Sequence, residues 1–369
     1  MTWNWQKPDW PDFQWDRAQI ATAEEQFLLG AGVVIGSVKH LGEDERKQFL
    51  VELMSSEALT TSEIEGEILN RDSVQSSIQR QLGLAADKRR ATPAEHGIAE
   101  MMVDLYRTFA EPLSAERLFS WHRMVTSGRK DLADIGKYRT SHEPMQVVSG
   151  RIGAPKVHFQ APPSKRVLSE MKRFIGWYNR AAPEGAEPLP AITRAGIAHL
   201  YFESIHPFED GNGRVGRAVA EKATAQSVGQ PLLLALATTI LAHQKNYYES
   251  LERANKTNDV TEWLIWFAGI ALEAQRRSIV QVEFIIAKTR LLDRLTGQIN
   301  PRQEKALLRM FAEGTEGFKG GLSARNYSTI TGASPATTTR DLADLTDKGA
   351  LIRTGERKHA RYGLNLTGC

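Results

Sequence analysis

Twelve residues, HPFEDGNGRVGR from His206 to Arg217, hold one histidine, two carboxylates, three glycines, an asparagine and two arginines. Such a composition is poor for a packed core and odd for an ordinary surface turn. It suits a site for a phosphorylated ligand. The mostly apolar run AGIAHLYFESI reads as a helix leading into His206, and Pro207 ends it, because the residue before proline is pushed out of the α region. Phe208 is expected to plug into the core. Gly211 and Gly213 can take positive φ, which side-chain-bearing residues rarely do. With a new helix from about Arg214, the loop empties into a helix N-terminus, where converging N–H groups favour an anion. Arg214 and Arg217, three apart, share one face of that helix and add charge-assisted bonds.

The set fits nucleotidyl transfer, which needs a divalent ion, an anion cradle and a base for the attacking hydroxyl. Asp210 is the natural Mg²⁺ ligand, since Mg²⁺ takes one or two carboxylates plus phosphates and water. Asn212 and the loop N–H groups are expected on the α- and β-phosphates. His206 is the residue of the stretch whose ordinary pKa lies near neutrality. A Walker loop is excluded by the missing GK[ST]. An EF-hand also begins D-x-N, with Glu221 at its twelfth position, but Arg214 and Val215 occupy the fifth and sixth places, where a ligand and a glycine are required.

The elements that position these residues are mostly helical. Apolar spacing predicts helices over Ala18–Val38, Glu43–Leu59, Asp72–Leu82, Pro93–Ala110, Ser114–Thr126, Lys165–Ala181, Ala191–Ser204, Arg214–Ser227, Leu233–Ala242, Lys245–Ala254, Val260–Lys288 and Pro301–Ala312, with Asp72 and Ser114 as N-caps. Met145–Pro163 breaks the pattern: MQVV and KVHF, joined by SGRIGAP, read as a β-hairpin. The first 15 residues carry four tryptophans and two prolines, which reads as an extended aromatic clamp. Proline-containing loops at Ala181–Pro190 and Gln230–Leu232 separate helices.

Residues 301–369 hold 11 Lys/Arg and 7 Asp/Glu, a net of +4 against +3 for the whole chain. Helices are expected at Glu304–Phe311, Ala324–Ile330 and Pro335–Lys348, the last capped by Ser334, followed by two strands around GERKHAR. This is the plan of a winged helix-turn-helix. Thr337, Thr338, Thr339 and Arg340 would face a groove, and Arg357, Lys358, His359 and Arg361 would meet phosphates from the wing. DNA is therefore one expected partner; a module for protein contacts is the alternative.

The bulk numbers exclude several classes. The chain has 369 residues, 41% apolar and 25% charged, ordinary for a globular protein of two or three domains. Its one cysteine, Cys369, rules out a disulfide framework and a cysteine metal site. MTWNWQKPDW has no signal-peptide pattern, and no apolar run is long enough to span a membrane. A cytoplasmic location is expected.

HPFEDGNGRVGR fills every defined position of HPFx[D/E]GNGRxxR, and the chain thus resembles the Fic family of protein adenylyltransferases. The resemblance extends to WQKPDWPDFQWD, SEIEGEIL and VQSSIQRQLGL, which look like an N-terminal domain found on many bacterial members. It implies a mainly α fold: a helical Fic core with a β-hairpin flap, here with a C-terminal winged helix-turn-helix. The expected division is 1–112 for an N-terminal helical domain, 113–295 for the catalytic core and 296–369 for the winged helix. It implies ATP with Mg²⁺, transferring AMP to a Ser, Thr or Tyr hydroxyl of a target protein, with His206 as base, Asp210 on the metal, Arg214 and Arg217 on the outer phosphates, and the flap pairing with the target. Asn246, Tyr247, Tyr248 and Asn255 fall where the family builds its adenine pocket.

TTSEIEGE, Thr60 to Glu67, fits [ST]xxxE[GN] with Thr61, Glu65 and Gly66, which in the same family marks a self-inhibitory helix. Glu65 reaching Arg217 would take the arginine meant for the γ-phosphate and repel that phosphate. An alternative is an ordinary helix end with Gly66 as C-cap. Alternative functions are AMP removal, with Glu65 orienting a water; transfer of UMP or phosphate; and a DNA-binding regulator with the Fic core as sensor. Self-modification is a further expectation, and a homodimer is compatible with the sequence, which shows no interface.

Overall fold

The computed structural model describes residues 2–39, 41–87, 89–151, 154–231, 234–315, 317–318 and 320–366. Expectations that fall on Leu232, Leu233, Cys369 and the Lys358 side chain lie outside the described residues. In chain order the helices are α1 (Arg17–Lys39), α2 (Glu43–Ile64), α3 (Arg71–Gln81), α4 (Pro93–Thr108) and α5 (Ala115–Val125). The hairpin β1 (Gln146–Arg151) and β2 (Ala154–Gln160) follows, then α6 (Ser164–Arg180), α7 (Ala191–Ile205), α8 (Asn212–Val228), α9 (Leu236–Ala242), α10 (Gln244–Ala254) and α11 (Thr261–Leu295). The C-terminal elements are α12 (Pro301–Phe311), α13 (Ala324–Thr331), α14 (Pro335–Asp347), β3 (Leu351–Thr354) and β4 (Arg361–Leu364). The fold is mainly helical, with the hairpin where the sequence places it.

The chain divides into two compact units, one of residues 1–36 and 50–278, the other of residues 37–49 and 279–369. In the larger unit α7 is the central helix. Every one of its residues is buried, which is why AITRAGIAHLYFESI is mostly apolar, with Arg194, His199 and Glu203 as its large buried polar exceptions. The N-terminal aromatics clamp this unit: Trp3, Trp5, Trp10 and Phe13 are buried, and Trp3 meets Phe159 of β2 edge-on at 5.4 Å. The β1–β2 pair is antiparallel, with Val147 opposite Phe159 and an irregularity before Val148. One cap differs from expectation. Asn70, not Asp72, starts α3, accepting from Ser73 N–H at 3.1 Å; Asp72 lies in the first turn and pairs with Arg89 at 2.8 Å.

The smaller unit closes on Leu307, Leu322, Tyr327, Leu342, Leu345 and Leu351, all nearly inaccessible. Gly332, at φ 73°, turns α13 into α14, which Ser334 caps. β3 and β4 pair antiparallel, and Leu322, ahead of α13, bridges to Tyr362 on β4. Two helices joined by a turn and followed by a strand pair, with the segment before α13 bridged to the last strand, occupy the region where the sequence places a winged helix-turn-helix.

Candidate active site

The loop between α7 and α8 is shaped by three residues outside its glycines. His206 ends α7 in the left-handed region, φ 50° and ψ 62°, its N–H still bonded to Phe202 O at 3.0 Å. Arg139 holds this strained residue: its Nε donates to His206 O at 2.8 Å and its Nη2 to Pro162 O at 2.5 Å, tying the loop to the chain after β2. Phe208 is fully buried and stacks on the His122 ring at 4.0 Å. Gly136 N–H donates to His122 Nδ1 at 2.9 Å, so the ring proton sits on Nε2 and is offered to Asp210 O at 3.1 Å. Burial lowers the His122 pKa to about 4, which keeps that tautomer neutral. Sequence reading missed Arg139 and His122; each is a lone polar residue far from the motif, and only the fold brings it there.

Two expectations are corrected here. The Asn212 side chain is buried and bonds Phe208 N and Phe208 O, both at 2.9 Å, so it closes the loop and only its backbone N–H is left for a phosphate. Gly211 does take φ 79°, but Gly213 lies inside α8, which begins at Asn212. Gly213 serves another purpose: a Cβ there would sit 2.2 Å from Glu65 Oε1, so the glycine leaves room for that carboxylate.

That contact locates Glu65 at the N-terminus of α8, which has no side-chain cap. An uncapped 17-residue helix leaves N–H groups and a positive dipole end for an anion, and the carboxylate of Glu65 lies against it. Arg217 Nη2 donates to Glu65 Oε1 at 2.7 Å and to Thr61 O at 2.9 Å, while its Nε donates to Thr61 Oγ1 at 2.7 Å. Burial opposes the Arg217 charge, yet Glu65 beside it raises its pKa. Arg214, also buried, pairs with Glu67 at 2.8 Å, a residue the sequence reading did not single out. Both arginines of the motif are thus occupied by the segment after α2. Gly66, at φ 81°, turns the chain there. Further back, Glu57 of α2 accepts from Ala237 N–H at 2.6 Å and Thr238 Oγ1–H at 2.8 Å, fastening α2 to the start of α9.

His206 is half-buried, and desolvation, followed by the nearby Arg139 charge, lowers its pKa to about 4. It is therefore neutral at pH 7. Its Nδ1 faces Glu203 at 3.7 Å, leaving Nε2 on the other side. Burial, reinforced by Glu65, raises Glu203 to about 8. Its folded pKa lies above the ordinary 4.5, so its contribution to stability is full at low pH and is lost as pH rises through about 8. Glu203→Gln is expected to melt close to wild type at pH 5 and several degrees higher at pH 8, where only the wild type must ionise a buried carboxyl. Thermal denaturation at the two pH values checks this; an equal shift at both would refute it.

Asp210 lies on the wall of a cleft of about 510 Å³ that Glu65, Glu67, Arg129 and Arg214 also line. Burial would raise its pKa, but Arg129, ion-paired to Oδ2, and Gly211 N–H, bonded to Oδ1 at 2.5 Å, lower it. A cation already sits on this carboxylate in the form of the Arg129 guanidinium. Among the described residues no group of three or more His, Cys, Asp or Glu side chains could hold a metal. A lone carboxylate on the wall of such a cleft, once Arg129 yields it, fits Mg²⁺, which takes most of its ligands from phosphates and water.

The expected adenine pocket is only partly open. Tyr247 is buried, its hydroxyl bonded to His199 Nε2 at 2.9 Å, and Asn255 is buried, its Oδ1 accepting from Ser204 at 3.1 Å. Both pack the core, because their face of α10 lies against α7. Tyr248 is 44% exposed, and its hydroxyl donates to Ile64 O at 3.2 Å, touching the end of α2.

Comparison with known proteins agrees with this geometry. A profile described as "Fic/DOC family" matches residues 112–223, and one described as "Domain of unknown function (DUF4172)" matches residues 3–84, which include Glu65. The chain is 30% identical over 145 residues to protein adenylyltransferase fic-1 of Caenorhabditis elegans, covering 39% of this chain and 25% of that protein. It is 30% identical over 129 residues to protein adenylyltransferase Fic of Culex quinquefasciatus, covering 34% and 24%. The chain thus spans about a quarter of the length of these curated relatives. A Fic family protein from Desulfovibrio desulfuricans shares the fold with a TM-score of 0.53 at 22% identity, covering 94% of this chain and 96% of that one. A Fic domain containing signaling protein from Bacteroides thetaiotaomicron gives 0.52 at 16% identity, covering 72% and 95%. The loop His206–Arg217, with its uncapped helix and paired arginines, lies within the stretch of residues 112–223 that matches the Fic/DOC family.

Proposed function

We propose that this protein is a self-restrained protein adenylyltransferase that moves AMP from ATP to a Ser, Thr or Tyr hydroxyl of a target protein. The observation that carries the reading is the uncapped N-terminus of α8, flanked by Arg214 and Arg217, in one loop with the half-buried His206. In this reading residues 113–295 catalyse, residues 1–112 restrain, residues 296–369 form a separate winged module, and the protein works in the cytoplasm. The curated relatives named as protein adenylyltransferases support it, as does the β1–β2 hairpin, whose exposed Val147 and Val148 could accept a target strand.

The N–H groups at the start of α8 and the two arginines hold the phosphates of ATP. His206 takes the target hydroxyl's proton on Nε2 while Glu203 faces Nδ1. The hydroxyl oxygen bonds to the α-phosphorus, the bond to the β-phosphate oxygen breaks, and pyrophosphate leaves. Asp210 would hold Mg²⁺, which neutralises phosphate charge when bound. Arg129 competes for that carboxylate. Arg129→Ala is expected to bind Mn²⁺ with ATP about fivefold more tightly by calorimetry, as a partly exposed ion pair is worth up to about 1 kcal/mol. Unchanged or weaker binding would refute the competition.

In the resting state Glu65 and Glu67 occupy Arg217 and Arg214, so ATP phosphates cannot take both. ATP labelled at the α- or the γ-position tests the function. Protein-bound label is expected from the α-position alone, on added protein or on the chain itself. Label from γ alone would mean phosphate transfer. Loss of AMP from a pre-modified protein, dependent on Glu65, would favour removal instead.

A further inference from the structure

We propose that the C-terminal helix-turn-helix and its wing bind duplex DNA, with α14 as the reading helix and Arg353 and Arg357 of the wing on phosphates. On α14 the inner side, Thr338, Asp341, Leu342 and Leu345, is buried, whereas Pro335, Ala336, Thr339, Arg340 and Ala343 are exposed. The outer face of its first turns is thus small and polar with one arginine, a shape that a major groove about 12 Å wide admits.

Three acids of the unit are used on the scaffold: Asp341 pairs with Arg302 at 3.1 Å and accepts from Tyr327, Asp344 pairs with Lys348 at 2.5 Å, and Glu313 pairs with Arg309, whereas Glu304, Asp347 and, on the wing, Glu356 are exposed. Arg325, Arg340, Arg353 and Arg357 pair with no carboxylate of the described residues. Arg325 opens α13, Arg340 lies on α14, and Arg353 and Arg357 lie on the wing. Gly355 and Arg357, at φ 71° and 49°, turn the wing tip. A non-glycine residue there costs about 1 kcal/mol or more, and this one places an arginine at the tip. From α12 onward only Leu308 and Ile352, among the described residues, are exposed large apolar side chains. That is too little for the apolar centre of a protein-binding face and favours nucleic acid over a protein partner.

The test is fluorescence anisotropy of the full chain with a random-sequence duplex of about two helical turns. Three phosphate contacts, from Arg325, Arg353 and Arg357, give a slope of log K against log salt of about −2.7, and a loss of about 40-fold between 50 and 200 mM salt. Arg353→Ala and Arg357→Ala are each expected to reduce the slope by about 0.9 and weaken all sequences alike. Arg340→Ala is expected to flatten the base preference obtained by selection from a random pool, and Lys172→Ala, an exposed lysine of α6, to change neither. No binding at the lowest salt, a slope that survives all four arginine substitutions, or equal binding of heparin and duplex would each overturn the proposal. So would a protein partner captured through α14 whose binding is indifferent to DNA.

Discussion

Glu65→Gly is expected to raise AMP transfer by about 10²-fold, the cost of misplacing reacting groups by about 1 Å. The carboxylate lies where a Cβ at Gly213 would be, against the start of α8, and holds Arg217 through a 2.7 Å bond. Removing it frees the arginine and the helix end together. Glycine suits the position, because α2 has already ended at Ile64 and no helix is broken. Initial rates with α-labelled ATP, wild type against variant, check the effect. Glu67→Gln alone is expected to act more weakly, since it frees Arg214 but leaves Glu65 on Arg217 and against the start of α8. A Glu65→Gly protein with wild-type rate, at saturating ATP and with target present, would refute the brake.

In that released background His206→Ala is expected to lower transfer by about 10²–10⁴-fold, the usual worth of a general base. His206 is positioned by an unusual backbone turn and by Arg139, so alanine removes the ring but leaves the hydrogen bond from Arg139 to the backbone oxygen. The melting temperature should therefore stay near that of the parent. A base works when deprotonated, and burial depresses this one to about 4. The rate of the Glu65→Gly protein should hold as pH falls through 6.5 and decline only towards pH 4–5. A limb near 6.5 would show that His206 titrates as an exposed histidine and that burial does not govern it.

Much of this was legible in the residues. Period-3.6 spacing located nearly every helix, and Gly–Pro punctuation isolated the hairpin, because local backbone preferences act within a few residues. The loop His206–Arg217 and the segment Thr61–Gly66 could be read for the same reason: each compresses its chemistry into a short span. The caps and glycines were harder. Asn70 displaced Asp72 because the helix could start one turn-position earlier with an equally good acceptor. Gly213 was read as a turn residue when its role is close approach, which depends on a carboxylate far away in the sequence.

What the sequence determined by itself is the inventory of one loop: a histidine, an aspartate, a glycine-rich helix start and two arginines, with glycine and proline limiting its backbone. What only the tertiary structure decided is which of these are available. Packing turned Asn212, Tyr247 and Asn255 inward, and set Arg129 on Asp210 and Glu67 on Arg214. Burial around α7 moved the titration of His206 and Glu203 away from their ordinary values. Spacing along a chain specifies which groups share a turn or a helix face. Desolvation and ion pairing depend on neighbours brought from distant segments, and these exist only once the chain has folded.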